Sequence, residues 1–371
     1  MKNFAFRVDA SLQIGTGHVM RCLTLADALR AHGHQCHFIC REQPGTLAEY
    51  IQELGFAVHV LPFEEKAALD VIDAPHIQLL GINLTKDADQ TFNLIKSLNI
   101  DWLIIDHYAL DHKWEKYIKN KNSRIKIMVI DDLADRPHFA AVLLDQNFGR
   151  KAEDYVGLVP DSCRLLIGPK FALLRSEFAS YRPDSLSRRT NSKLKHLVIS
   201  MGGTDIADAT SSVLQALQVA DMPSDLHLSV VMGSSAPALS RVRVLASQML
   251  WRTEVLIDVR NMASLMTTAD LAIGAGGITT WERCCLGLPS AIVETATNQE
   301  GIADILEKAG AALAIGQLSA MEFDKRVVTV VSKLLKLETN CQIALRSAEL
   351  CTGHGAKIVA ECLLEEQQIT Q

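Results

Sequence analysis

The sequence lacks the features that mark several large classes of protein. No apolar run approaches the roughly 20 residues of a membrane-spanning helix; the longest, such as WLIID at 102–106, are strand-sized. There is no basic tail and no long block of like charge, and the formal net charge is -6. The electrostatic footprint of a nucleic-acid-binding protein is therefore missing. No CxxC pair occurs, and the 9 cysteines are scattered and odd in number, which argues against a disulfide framework and a zinc ribbon. The opening MKNFAFRVDA runs straight into an alternating strand, without the apolar stretch of a secretory signal. These absences lead us to expect a cytoplasmic protein with neither nucleic acid nor membrane as partner. One cluster, His32, His34, Cys36, His37 and Cys40, contains metal-ligating residue types. On a strand, however, neighbouring side chains point to opposite faces, so Cys36, His37 and Cys40 do not readily converge.

The chain does have ample material for folding. At 371 residues it exceeds what a single core usually organises, so two domains are expected. Short β-branched runs alternate with longer amphipathic stretches: FAFRVDA, CHFIC, AVHVLP, WLIID, KIMVIDD and VLLDQN in the first half, then HLVISMGG, LHLSVVMG, EVLID, LAIGA and SAIVE. That rhythm predicts two Rossmann-like domains with mostly parallel sheets and ligands held beyond the strands' carboxyl ends. The polar stretch YRPDSLSRRTNSKLK at 181–195 breaks the pattern and reads as an interdomain linker. The expected division is residues 1–182, a linker at 183–195, and residues 196–371. The last segment, from about Glu338 to Gln368, reads as helical throughout and is a candidate to pack back on the first domain. No strong internal repeat is visible.

Several loops could support chemistry. After the first strand come Gly15, Thr16, Gly17 and His18, leading into a helix. Glycines let a backbone approach a ligand, and the helix start offers unpaired N–H groups to anions. The dinucleotide fingerprint GxGxxG is absent, since Arg21 falls near the third glycine position. Placement at the positive end of the helix disfavours a charged imidazole, which suits His18 to accept a proton; the alternative is a plain loop hydrogen bond. In LAIGAGGITTWERCCLGLPS, Gly274, Gly276 and Gly277 precede a helix with Ile278, Thr279 and Thr280, a candidate seat for a diphosphate. Glu282, one turn on, could accept two hydrogen bonds from the vicinal hydroxyls of a ribose; alternatively it closes a capping box with Thr279. Thr297, Asn298 and Gln299 follow the next strand, where Asn298 faces a ligand or serves as an N-cap. Gly202, Gly203, Thr204 and Asp205 make a further loop, read as a phosphate or sugar contact or as simple turn residues. Asp106, His107 and Tyr108, with Asp131 and Asp132, offer either a divalent metal site or loop caps, and we expect no metal.

Taken together, RVDASLQIGTGHVMRCLTLADAL, DWLIIDHYALD, IDDLADRPHFAAVLLDQN, ISMGGTD and GAGGITTWERCCLGLP…NQ resemble the UDP-2,4-diacetamido-2,4,6-trideoxy-β-L-altropyranose hydrolases of pseudaminic acid biosynthesis. The resemblance spans nearly the whole chain. It implies the GT-B fold, two such domains with a cleft between them, shared with the N-acetylglucosaminyltransferase that completes the peptidoglycan lipid intermediate. It further implies a UDP-sugar and water as reactants, no cofactor, and inversion at the anomeric carbon. By the same resemblance His18 is the general base, Tyr108 and Asn298 line the sugar and water site, and Glu282 holds the ribose. Gly277, Ile278 and Thr279 seat the diphosphate, with Gly15, Gly17, Gly203 and Gln299 as further contacts. The chain also runs well past Gly310, farther than shorter relatives. A glycosyltransferase with the same donor site, or a silent nucleotide-sugar-binding module, remains an alternative on the residues alone.

Overall fold

The computed structural model describes residues 1–11, 14–63, 76–189 and 194–365. The chain divides into two compact units, Met1–Leu173 joined by the segment from Gly355 onward, and Leu174–His354. Unit 1 holds a seven-stranded parallel sheet of β1 (Asn3–Val8), β2 (Gln35–Arg41), β3 (Ala57–Leu61), β4 (Trp102–Asp106), β5 (Lys126–Ile130), β6 (Val142–Asp145) and β7 (Arg164–Ile167). Its order is β3-β2-β1-β4-β5-β6-β7. Unit 2 holds six parallel strands: β8 (His196–Ser200), β9 (His227–Met232), β10 (Arg252–Ile257), β11 (Leu271–Ala275), β12 (Ser290–Glu294) and β13 (Leu313–Gln317). They lie in the order β10-β9-β8-β11-β12-β13. Each order reverses direction once, between β1 and β4 and between β8 and β11. At such a switch point two neighbouring connections leave on opposite faces and open a crevice beyond the strand ends.

Alternation along the strands decides which side chains reach which layer. In β1, Phe4, Phe6 and Val8 join Trp102 and Ile104 of β4 in one core layer, beneath the helix Gly17–Ala31. Ala5 joins Leu103 and Ile105 in the opposite layer, with Trp114 and Ile118 of the helix His112–Lys121. By the same parity Arg7 belongs to that second layer, and it is fully buried. The terminal helix Gly355–Glu365 turns Ala356, Val359, Ala360 and Leu363 into the first layer, a spacing that puts all four on one helical face. Each fully buried Val or Leu there contributes about 1.5–3 kcal/mol.

Three sequence expectations need correction. The division falls after Leu173, not at 182, and the first part of the supposed linker, as far as Arg188, is helical: Ser176–Arg188 is a helix within unit 2, while residues 190–193 lie outside the described residues. Its polar side chains bond to backbone instead of forming an apolar stripe. Arg182 donates to the carbonyls of Cys285, Ala348 and Cys351, and Ser185 donates to that of Leu286. Those carbonyls close the helices Thr279–Cys285 and Leu337–Leu350, whose final C=O groups have no partner of their own. The C-terminal segment, second, is not helical throughout: it breaks between Leu350 and Gly355, where Gly353 takes φ +84°, and residues 366–368 lie outside the described residues. Third, β7 and β13 went unpredicted.

Candidate active site

In unit 1, the register pairing Val8 with Asp106 brings the ends of β1 and β4 level at the switch point. The β1 loop turns at Gly15, which has φ +79° and donates its N–H to the Ser11 carbonyl at 2.8 Å. Only glycine adopts that conformation without cost. The helix Gly17–Ala31 then starts and carries His18 and Arg21 on one face, three residues apart.

His18 is 8% exposed, and its Nδ1 lies 2.6 Å from Asp106 Oδ1 and 3.2 Å from Arg21 Nη2. Arginine offers only donors, so the carboxylate decides the tautomer: Nδ1 carries a proton aimed at Asp106, and Nε2 of the neutral ring keeps the lone pair. Arg21 clamps Asp106 in turn, Nε to Oδ2 at 2.6 Å and Nη2 to Oδ1 at 2.7 Å. Burial alone would raise the Asp106 carboxyl, but the charge of Arg21 and the hydrogen bonds from Arg21 and His18 hold it well below the usual carboxylate range. Arg21 also reaches Asp132 at 2.9 Å, and Tyr108 donates its hydroxyl to Asp132 at 3.2 Å. The Tyr108 ring stands edge-on to His18, with centroids 4.8 Å apart at 86°. Thus His18 and Tyr108 meet, with Gly15 and Gly17 on the loop beside them.

On the other sheet face, strand parity assembles a buried set unforeseen in the sequence. Arg7, Asp9, Arg41 and Asp87 are all 0% exposed. Arg7 donates to Asp9 at 2.6 Å and to Asp87 at 2.7 Å; Arg41 donates to Asp87 at 2.6 Å, as does the Trp114 indole at 3.0 Å. His107 Nδ1 accepts the Ala109 N–H at 3.1 Å, which leaves its Nε2 facing Asp9 Oδ2 at 3.4 Å. Burial would raise the Asp9 carboxyl; Arg7 and His107 bring it well below the usual range. Asp131 accepts from Ala134 N–H and Tyr155 and pairs with Arg136. Asp106, Asp131 and Asp132 are thus engaged with donors of the protein itself, and no group of three or more His, Cys, Asp or Glu poised to hold a metal occurs among the described residues.

Unit 2 furnishes its switch point differently. After β11, Gly276 and Gly277 lead into the helix Thr279–Cys285, whose N-cap is Ile278 and lacks a side-chain cap bond. The capping box with Thr279 is therefore not formed. Glu282 instead lies 3.9 Å from Arg175, with its side chain 12% exposed. Burial pushes its carboxyl up to about 7, against the pull of Arg175 and Arg283. Arg175, unremarked in the sequence, also donates to the Arg260 carbonyl at 2.9 Å. Arg260 also lines a hollow of about 550 Å³ at the end of β10, together with Asp258, Asn261 and Ser264 among others. Arg175 therefore links this hollow to Glu282.

Two other expected contacts have protein partners. Gln299 Oε1 accepts from the Gly276 N–H at 3.2 Å and the Thr295 N–H at 3.1 Å, so it fastens the glycine loop to the β12 loop. Gly203 gives its carbonyl to the Gly233 N–H at 2.9 Å, while Asp205 accepts from Ala209 and Thr210 N–H groups as a helix cap. Asn298 is exposed in the short turn Thr297–Gln299; the helix beyond it, Ile302–Lys308, is capped at Gly301, so Asn298 is not its N-cap. His18 and Tyr108 lie in unit 1, and Asn298 and Glu282 lie in unit 2.

No family model matches the chain. Among curated proteins, it is 31% identical over 306 residues to the UDP-2,4-diacetamido-2,4,6-trideoxy-β-L-altropyranose hydrolase of Campylobacter jejuni, covering 82% of this chain and 96% of that protein. Solved structures of similar shape include Acinetobacter baumannii MurG, with TM-score 0.70, 17% identity, 98% of this chain and 100% of that one. Another is the spinosyn rhamnosyltransferase SpnG complexed with thymidine diphosphate, with TM-score 0.69, 14% identity, 98% of this chain and 100% of that one. These likenesses establish the GT-B architecture of two Rossmann-like parallel-sheet domains. With that fold, and with a relative of this identity matched over nearly its whole length, the chain belongs to the UDP-2,4-diacetamido-2,4,6-trideoxy-β-L-altropyranose hydrolase family.

Proposed function

We propose that this protein hydrolyses a UDP-linked 2,4-diacetamido-2,4,6-trideoxyhexose of β-L-altro configuration, with inversion, as a step towards pseudaminic acid. The observation that supports this most is the His18–Asp106 contact of 2.6 Å, which leaves Nε2 as a lone-pair acceptor on a ring whose orientation is locked. In the reaction, water gives a proton to His18 Nε2 while its oxygen bonds to the anomeric carbon. The bond from that carbon to the β-phosphate oxygen breaks, and its electron pair leaves with UDP. The products are UDP and the free sugar. Unit 1 supplies the base and the Tyr108 face. Unit 2 supplies the nucleotide-holding groups: Glu282 for the ribose hydroxyls, and Gly277, Ile278 and Thr279 for the diphosphate. Gly17 supports the close approach of a ligand, because a Cβ there would meet nothing within 4 Å and the fold itself has no need of a glycine. Carboxylates already bonded to arginines favour a reaction without a metal. The described residues contain no disulfide, which fits a reducing cytoplasm; no helix among them is long and apolar enough to cross a membrane.

The test is turnover of the UDP-sugar in oxygen-18 water with chelator present. Label in the sugar and none in UDP is expected. Label in UDP would place the cleavage at phosphorus, and UDP binding without turnover would point to a transferase awaiting an acceptor.

A further inference from the structure

Two buried arginines have no carboxylate partner among the described residues: Arg189, whose guanidinium instead donates to the carbonyls of Ala269, Met266 and Leu286 and to the Ser185 hydroxyl, and Arg283, which leaves one of its nitrogens unbonded. Arg283 is 1% exposed. Its Nη2 donates to the Ala275 carbonyl at 2.9 Å and to Thr280 Oγ1 at 3.0 Å, its Nη1 donates to Thr279 Oγ1 at 3.1 Å, and its Nε has no hydrogen-bond partner. The other fully buried arginines, Arg7 and Arg41, each pair with Asp87. Burial pulls the Arg283 guanidinium down to about 10, the expected direction for a cation short of counter-charge. A buried charge without compensation is costly, so its retention calls for an anion supplied from elsewhere.

Position indicates which anion. The guanidinium contacts the end of β11 and the first two residues of the Glu282 helix, so it lies directly behind the glycine loop. A Cβ on Gly274 would come within 2.3 Å of Arg283 Nη1. That glycine therefore makes room for the guanidinium, which explains part of the glycine cluster without any ligand. The loop in front stays open: a Cβ on Gly277 would meet only the Gln299 amide, at 3.8 Å.

We propose that Arg283 is a positioning residue of the diphosphate subsite. It braces Thr279 and Thr280 against the end of β11 and lends its positive charge, from behind the loop, to the phosphates of bound and departing UDP. This deepens the function proposed above and rests on its reading of the loop.

Calorimetric titration of wild type, Arg283→Met and Arg283→Lys with uridine, UMP and UDP tests it. In wild type, affinity should rise with each phosphate. Arg283→Met should lose about 10- to 100-fold in UDP affinity, as for loss of a charge-assisted contact, with uridine affinity unchanged as the sign of an intact fold. Arg283→Lys keeps the charge and should retain most of the preference for UDP over uridine; this comparison stands even if the Met variant does not fold. An unchanged UDP-to-uridine ratio in Arg283→Met, or a ratio lost as completely in Arg283→Lys as expected for Met, overturns the proposal while leaving the loop reading intact. A wild-type protein that gains nothing from the phosphates overturns both.

Discussion

The two sheets share one strand order through six strands, on both sides of the switch point, yet the two crevices are furnished with opposite chemistry. At the β1–β4 end, the acids meet protein donors: Asp106 and Asp132 share Arg21, and on the far face Asp87 shares Arg7 and Arg41. At the β8–β11 end, Arg283 forms no ion pair with an acid, and Glu282 comes within ion-pair range only of Arg175, at 3.9 Å. The far-face set leaves Asp9 Oδ2 and Arg41 Nε without a hydrogen bond, but no buried atom of Arg21, Asp106 or Asp132 lacks one; a saturated network of that kind holds its members rigidly in one arrangement, which suits the orientation of a base. An under-compensated pair keeps its interaction capacity for something not part of the chain. The difference suggests that unit 1 is built to position and unit 2 to bind.

The largest expected effect comes from taking the base out of the saturated network. His18→Asn should lower kcat by about 10²- to 10⁴-fold, the usual range for a general base, with UDP affinity unchanged by calorimetry. Loss of affinity with normal kcat would reverse the roles of the two units. The far-face network is next. Asp87→Ala removes the one carboxylate paired with Arg41 and one of the two paired with Arg7, and should cost about 3–5 kcal/mol in denaturant unfolding, far more than a surface substitution; a cost below about 1 kcal/mol would mean that water or other partners replace the carboxylate.

Glu282 gives a pH test of the binding side. Its carboxyl stands near 7 in the folded protein against an ordinary 4.5, so the folded state holds the proton more tightly than the unfolded chain. The resulting stability is fully present below about 4.5 and is lost as pH rises through about 7. Glu282→Gln should therefore unfold less readily at pH 8, by on the order of 3 kcal/mol, and should flatten that pH dependence. UDP affinity should behave oppositely, rising with pH through about 7 as the carboxylate needed by the ribose forms. A UDP affinity flat in pH, or unaltered in Glu282→Gln, would remove Glu282 from the nucleotide site. The smallest effect is expected at Gly17. Gly17→Ala should leave stability within about 0.5 kcal/mol but raise KM roughly tenfold, about 1.4 kcal/mol, if a ligand occupies the open space there.

Much of the architecture was legible because strand, glycine turn and helix recur at short range. The six strands read in the first half and the five in the second correspond to β1 through β6 and β8 through β12. Short, partly exposed β7 and β13 carried too little pattern. The helix Ser176–Arg188 was misread because its polar side chains cap other helices, a role with no periodic signature. Within the site, His18 and Glu282 stood out through their loops. Arg21 had a local signal, three residues beyond His18 on one helical face, that went unused. Asp87 had none: it pairs with Arg7 across 80 residues of chain.

What the sequence alone determined is the local grammar: which segments pair as strands, where each glycine loop opens onto a helix, and which loops leave the carboxyl edges. Those choices depend on backbone preference and on side-chain period, both properties of a few consecutive residues. Only the tertiary structure decided the electrostatics. Whether a charge is costly or useful depends on its burial and on the partners that distant strands bring to it. The same sheet geometry thus gave Arg7 two carboxylates and left Arg283 with none.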